Sequence, residues 1–136
     1  MGKILAIDFG MKRCGIAITD ELKIIASPLP TQDSTKIITF LKNIVTKERI
    51  EKIILGEPKT LSNTFSTTTN MVHQFKNKLE ELFPDIPIQL VDERLTSVIA
   101  QHTLLNSGIG KQKRQDKSKL DAIIATLILQ SYLQSL

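Results

Sequence analysis

Tryptophan is absent from this 136-residue chain, tyrosine occurs once and phenylalanine five times. So thin a supply of aromatics argues against a surface on which successive bases stack, the device of RRM-like and OB-like nucleic-acid binders. Cysteine occurs once, as Cys14. One thiol cannot form an internal disulfide or a Cys-based zinc cluster, and it fits a reducing cytosol. The two histidines, His73 and His102, have no second His or Cys at ligand spacing, so zinc has no site. No apolar stretch approaches the roughly 18 to 20 residues that span a bilayer. The first apolar run, Ile4 to Ile7, stops at Asp8 and is too short for a signal-peptide core, so the expectation is a cytoplasmic protein with no membrane partner. Gly-x-x-x-x-Gly-Lys and Gly-x-Ser-x-Gly are both missing, which removes P-loop nucleotide binding and the α/β-hydrolase nucleophile.

What is present suits one globular domain over residues 1–136. Hydrophobic residues make up 41% and charged residues 24%, enough to bury roughly two-thirds of the unfolded surface around one core. The net charge is +4, and its location is informative. Lys111, Lys113, Arg114, Lys117 and Lys119 stand with a single acid, Asp116, in a nine-residue segment that carries the whole excess. The rest of the chain is balanced. Such a run is either a solvated loop or a grip on a phosphate-rich partner.

Lys3 to Phe9 is an apolar run too short for a helix and reads as a buried strand. Cys14 to Thr19 alternates small or polar with apolar residues and should pair back as a hairpin. Lys23 to Ala26 makes a third short strand, ended by Ser27-Pro28-Leu29-Pro30. Ser34 or Thr35 looks like the N-cap of a helix of about four turns through Ile37, Ile38, Leu41, Ile44 and Val45. Lys52 to Gly56 is a strand, and Lys59 to Asn70 a mobile Ser/Thr/Asn-rich loop. An amphipathic helix with Met71, Val72, Phe75, Leu79, Leu82 and Phe83 ends at Pro84. Ile86 to Val91 is the last strand, followed by a helix through Val98, Ile99, Leu104 and Leu105. The final helix, about Ser118 to Leu133, is apolar almost all round and must pack on the sheet. Three strands followed by strand–helix alternation predict an α/β fold with a five-stranded mixed sheet and helices on both faces.

Three carboxylates stand out against this frame. Ile4, Ala6 and Asp8 share one strand face, so a carboxylate ends an apolar row. Asp8 either accepts hydrogen bonds from the Gly10 to Arg13 turn or ligates a hard cation. Glu93 follows the last strand, where α/β sheets gather site residues, and equally suits the N-terminus of the next helix. Asp121 completes a Ser118-x-x-Asp121 capping-box pattern, a structural role that leaves one oxygen over for a ligand. Acidic oxygens from several elements, with basic residues beside them, are what two-metal phosphoryl chemistry requires.

The string Ile7-Asp8-Phe9-Gly10-Met11-Lys12-Arg13-Cys14-Gly15-Ile16-Ala17 resembles the D-x-G-x-x-R-x-G-x-A signature of the YqgF family. These are Holliday junction resolvase-like proteins also described as precursor 16S ribosomal RNA nucleases. Asp92-Glu93-Arg94-Leu95-Thr96-Ser97 is similar to the family's D-E-R-L-[ST]-[ST] motif, and Leu120-Asp121-Ala122-Ile123-Ile124-Ala125 to its closing [IV]-D-x-x-A-A, with Ile124 replacing an alanine. The three motifs span the chain in order. The resemblance implies an RNase H-like fold and a divalent-metal site, Mg²⁺ or Mn²⁺, at Asp8, Glu93 and Asp121 for phosphodiester hydrolysis. Arg13, Arg94, Lys111, Lys113, Arg114, Lys117 and Lys119 would contact phosphates of structured RNA, such as precursor ribosomal RNA, or of branched DNA. One departure is Gly56-Glu57-Pro58 where the family has Gly-Leu-Pro; Glu57 is then an exposed turn residue, a fourth ligand or a repulsive neighbour of substrate.

The resulting expectation is a metal-dependent endonuclease acting at the 5′ end of precursor 16S ribosomal RNA, as a monomer or homodimer. A junction-resolving DNA nuclease and a non-catalytic ribosome assembly factor are the competing expectations. An actin-like phosphotransferase would need a second domain.

Overall fold

A computed structural model describes residues 2–10, 12–57, 67–92 and 117–135. Its strands are β1 (Lys3–Phe9), β2 (Arg13–Thr19), β3 (Ala26–Asp33), β4 (Ile50–Glu57) and β5 (Ile88–Asp92). The helices are α1 (Ile37–Lys47), α2 (Thr67–Leu82) and α3 (Lys117–Gln134). The five strands form one sheet in the order β3-β2-β1-β4-β5. β2 pairs antiparallel with β1 and β3, while β4 runs parallel to β1 and β5. This is the mixed sheet expected from three consecutive strands followed by crossover helices.

Period-two alternation divides the core into two layers. Leu5, Ile7, Cys14, Ile16, Ile53 and Leu55 pack with Ile37 and Leu41 of α1 and with Val72, Phe75 and Leu79 of α2. Ile4, Ala6, Ala17 and Ile54 face Ile124, Ala125, Ile128 and Leu129 of α3. The spacing of those four α3 residues is one stripe of a 3.6-residue helix, so the almost uniformly apolar segment still uses one face for its deepest contacts. Where the ladder slips between Lys3 and Ile4, the Ile4 N–H donates to Thr19 Oγ1 at 2.9 Å. That bond explains why Thr19 is buried at 2% exposure.

Several local readings change. Pro28 and Pro30 lie inside β3 rather than ending it. β3 is an edge strand, and two prolines two residues apart turn their missing N–H positions to the same side, which at an edge costs no ladder bond. Residues Lys23 to Ile25 instead belong to the turn before β3, where Asp20 Oδ1 accepts the N–H groups of Ile24 and Ile25 and Lys23 adopts φ 59°. Neither Ser34 nor Thr35 caps α1. Its N-cap is Lys36 without a side-chain bond, and the helix spans 11 residues, about three turns. Finally, α2 starts at Thr67, inside the stretch read as a loop, and β5 starts at Ile88 instead of Ile86. The helix expected through residues 98–105 lies outside the described residues, as does 59–66 of the expected loop. No helix among the described residues is long and apolar enough to cross a membrane.

Candidate functional site

The carboxyl ends of β1, β4 and β5 lie at one end of the sheet, because these three strands are parallel. Asp8 stands at this end of β1, in the row begun by Ile4 and Ala6, and therefore on the α3 side. Its register partner on β2 is Gly15. Directly opposed residues of an antiparallel pair have Cα atoms about 4.5 to 5.5 Å apart, so the aspartate and the glycine are immediate neighbours.

Gly15 is also where α3 meets the sheet. A Cβ placed on it would lie 1.9 Å from the Asp121 carbonyl oxygen and 3.0 Å from the Ala122 nitrogen. No side chain fits there, and only glycine lets the helix backbone approach so closely. Asp8 and Asp121, remote in sequence, thus both adjoin one glycine.

α3 begins at Lys117, which puts Ser118 inside the helix and Asp121 beyond its first turn. The capping-box role read for Asp121 is replaced by an ion pair across the layer. Arg13 Nε–H donates to Asp121 Oδ2 at 3.1 Å, with side chains 35% and 23% exposed. An ion pair this open to solvent is worth about 0 to 1 kcal/mol, so it orients the carboxylate without locking it. Lys117 and Lys119 lie at the start of α3, just ahead of Asp121.

The turn from β1 to β2 is held tightly beneath these groups. A Cβ on Gly10 would lie 2.5 Å from the Arg13 carbonyl oxygen. Ser34 Oγ donates to the Gly10 carbonyl at 2.5 Å, and the Ser34 N–H donates to Lys12 O at 2.9 Å. The serine read as a helix cap is therefore spent on the site's turn, which is why α1 starts without it. Burial pushes the Cys14 thiol above its ordinary pKa. Hydrogen bonds with Ser34 and the Gly10 backbone pull it back, and the charges of Asp8 and Asp121 push it up again. Cys14 is fully buried in the opposite layer, next to the site but not part of it.

Of the other expected site residues, Glu93, Arg94, Lys111, Lys113 and Arg114 lie outside the described residues. Glu57 closes β4 with Asp92 as its register partner. Among the described residues no three His, Cys, Asp or Glu side chains converge. Hard carboxylate oxygens are the donors Mg²⁺ and Mn²⁺ prefer, and the guanidinium at Asp121 marks a place where positive charge is already accommodated. The donor set fits a hard divalent cation.

A family model described as "RuvX: Holliday junction resolvase" matches residues 2–135. The chain belongs to the RuvX family. This is the YqgF-type family its three motifs resemble. A relative from Flavobacterium psychrophilum is 49% identical over 133 residues, covering 98% of this chain and 97% of that one; its name marks it as a candidate pre-16S rRNA nuclease. A relative from Phocaeicola vulgatus with the same name is 47% identical over 135 residues, covering 99% and 97%. Among solved structures, the fowlpox virus Holliday junction resolvase superposes with TM-score 0.57 at 15% identity, covering 98% of this chain and 99% of that one. RuvC of T. thermophilus, solved with a Holliday junction substrate, gives TM-score 0.57 at 14% identity, covering 99% and 96%. The RuvX family chain therefore has the RNase H-like α/β resolvase fold.

Gly15, at the close approach of α3, and Ser34, bonded to the Gly10 carbonyl, have structural parts that the sequence reading did not assign to them. Gly15 had a signal, a glycine within a strand of small residues, which is a mark of close backbone approach. Ser34 carried the opposite signal, because a serine before an apolar helical stripe ordinarily reads as a cap.

Proposed function

We propose that this chain is a divalent-metal-dependent endonuclease that hydrolyses phosphodiester bonds during 5′-end maturation of precursor 16S ribosomal RNA in the cytoplasm. The observation that carries the reading is the meeting of Asp8 and Asp121 at Gly15, at the carboxyl ends of the parallel strands. Asp8 and Asp121 would hold Mg²⁺ or Mn²⁺, with Glu93 as the third carboxylate. Such a cation supplies Lewis-acid stabilisation of the charge that develops on phosphate oxygens.

The protein's own part is positional. The Gly10 turn, tied down by Ser34, fixes the end of β1 and with it the Asp8 carboxylate. The absence of a side chain at Gly15 sets the depth of α3 and hence the place of Asp121. Lys117 and Lys119 at the start of α3, Arg13 at the start of β2, and Arg94, Lys111, Lys113 and Arg114 bring positive charge to the phosphate backbone of the substrate. Precursor ribosomal RNA is the favoured substrate because relatives at 47 to 49% identity carry that name. The family description and the resolvase fold support branched DNA as the competing substrate.

Purified protein with Mn²⁺ is expected to cleave a precursor RNA spanning the 5′ end of 16S ribosomal RNA, in preference to a four-way DNA junction. Asp8→Asn is expected to reduce cleavage to background. Undiminished cleavage by Asp8→Asn rejects the mechanism, and preferential cleavage of the junction rejects the RNA assignment.

A further inference from the structure

Arg13 occupies a position that phosphate contact alone does not explain. It is the first residue of β2, with Asp33 as its register partner, and its carbonyl packs against Gly10. Its backbone is therefore fixed, while its side chain is 35% exposed and reaches across to α3 to hold Asp121. The guanidinium is thus on a carboxylate that a metal ion would need. Arg13 holds Oδ2, and even a metal ion on the other oxygen meets a competing cation, since each repels the other and each withdraws charge from the carboxylate.

We infer that Arg13 is an exchangeable counter-ion: it holds Asp121 in orientation while the site lacks metal and gives up the carboxylate when a divalent cation arrives. The freed guanidinium then lies at the site mouth, available to a phosphodiester oxygen of the substrate. This rests on the metal-site reading of Asp8 and Asp121 and adds a role for Arg13 as a positioning residue. A partly exposed pair of this kind is weak enough to be displaced, whereas a fully buried one would be expensive to break. The exchange also couples the two ligands. Metal binding frees the group that grips substrate, and by linkage substrate bound to Arg13 raises the affinity for metal.

The test follows Arg13 itself. In ¹H–¹⁵N spectra of the full chain, the Arg13 Nε–H signal, assigned by its loss in Arg13→Lys, is expected to move and broaden as Mg²⁺ is added. Asp121→Asn is expected to show that changed signal without Mg²⁺. Mn²⁺ binding measured by electron paramagnetic resonance is expected to tighten about fivefold in Arg13→Gln, the factor corresponding to about 1 kcal/mol. Arg13→Lys, which keeps the charge, is expected to stay near the parent affinity. An Nε–H signal unmoved at saturating Mg²⁺, with Arg13→Gln binding Mn²⁺ no more tightly, overturns the exchange while leaving the metal site intact. Parent-like Mn²⁺ binding by Asp121→Asn overturns the metal site and the exchange with it.

Discussion

The two faces of the sheet solve different problems. Against α1 and α2 the sheet presents Leu5, Ile7, Ile16, Ile53 and Leu55, branched side chains that fill a thick apolar layer with Leu41, Leu79 and Phe75. Against α3 it presents Ile4 and Ile54 together with the small residues Ala6, Gly15 and Ala17, and at Gly15 the helix backbone comes into contact with the strand. Large side chains on the first face contribute stability. Small ones on the second give up apolar area to set a distance, and that distance puts the Asp121 backbone against Gly15, the register partner of Asp8. The contrast separates residues that fill the core from residues that set how closely α3 approaches the sheet.

The largest stability effect is expected on the thick face. Leu41→Ala removes a fully buried side chain of α1 and should cost about 2 to 5 kcal/mol in urea unfolding. Below the transition, Mn²⁺ binding by the folded fraction should be unchanged. A loss of metal affinity in this variant would break the division between the faces.

Gly15→Ala is the complementary change. One added methyl group must displace the Asp121 backbone, an overpacking cost of about 1 to 3 kcal/mol. Smaller in stability than Leu41→Ala, it should weaken Mn²⁺ binding and cleavage far more. Parent-like metal affinity in folded Gly15→Ala would show that the close approach is not what assembles the site.

The smallest effect concerns Cys14, which lies in the thick layer but feels the charges of both aspartates. Its folded pKa is raised above the ordinary 9.0, chiefly by burial. Below that value the thiol is neutral in both states and its contribution is complete. Between 9.0 and the folded value the unfolded chain has lost the proton that the folded chain keeps. Stability should therefore fall as pH rises, by at most about 1.4 kcal/mol per pH unit relative to Cys14→Ala. Parallel stability–pH curves for the two proteins between pH 9 and 10 would show that burial does not hold the thiol protonated.

How much of this could be read from the sequence follows the same division. The β1 run, the alternation that put Asp8 at the end of the Ile4–Ala6 row, and the packing of α3 on the sheet are all visible in local patterns. Each needs only a strand period or a helix period. The three motifs added the expectation that Asp8 and Asp121 share a site. The Arg13 to Asp121 bond was beyond reach because 108 residues separate its partners. The part played by Gly15 depends on which helix crosses it, and Ser34 was misread because its hydrogen bond goes to a turn earlier in the chain. Pro28 and Pro30 read as strand breakers until β3 is known to be an edge.

The most direct test of the central claim, that Gly15 brings Asp8 and Asp121 together as one metal site, is anomalous diffraction from crystals soaked in Mn²⁺. The account predicts a manganese peak in contact with carboxylate oxygens of both Asp8 and Asp121, with Arg13 withdrawn from Asp121. Manganese bound without either aspartate, or an empty site with Arg13 still on Asp121 at saturating Mn²⁺, would contradict it.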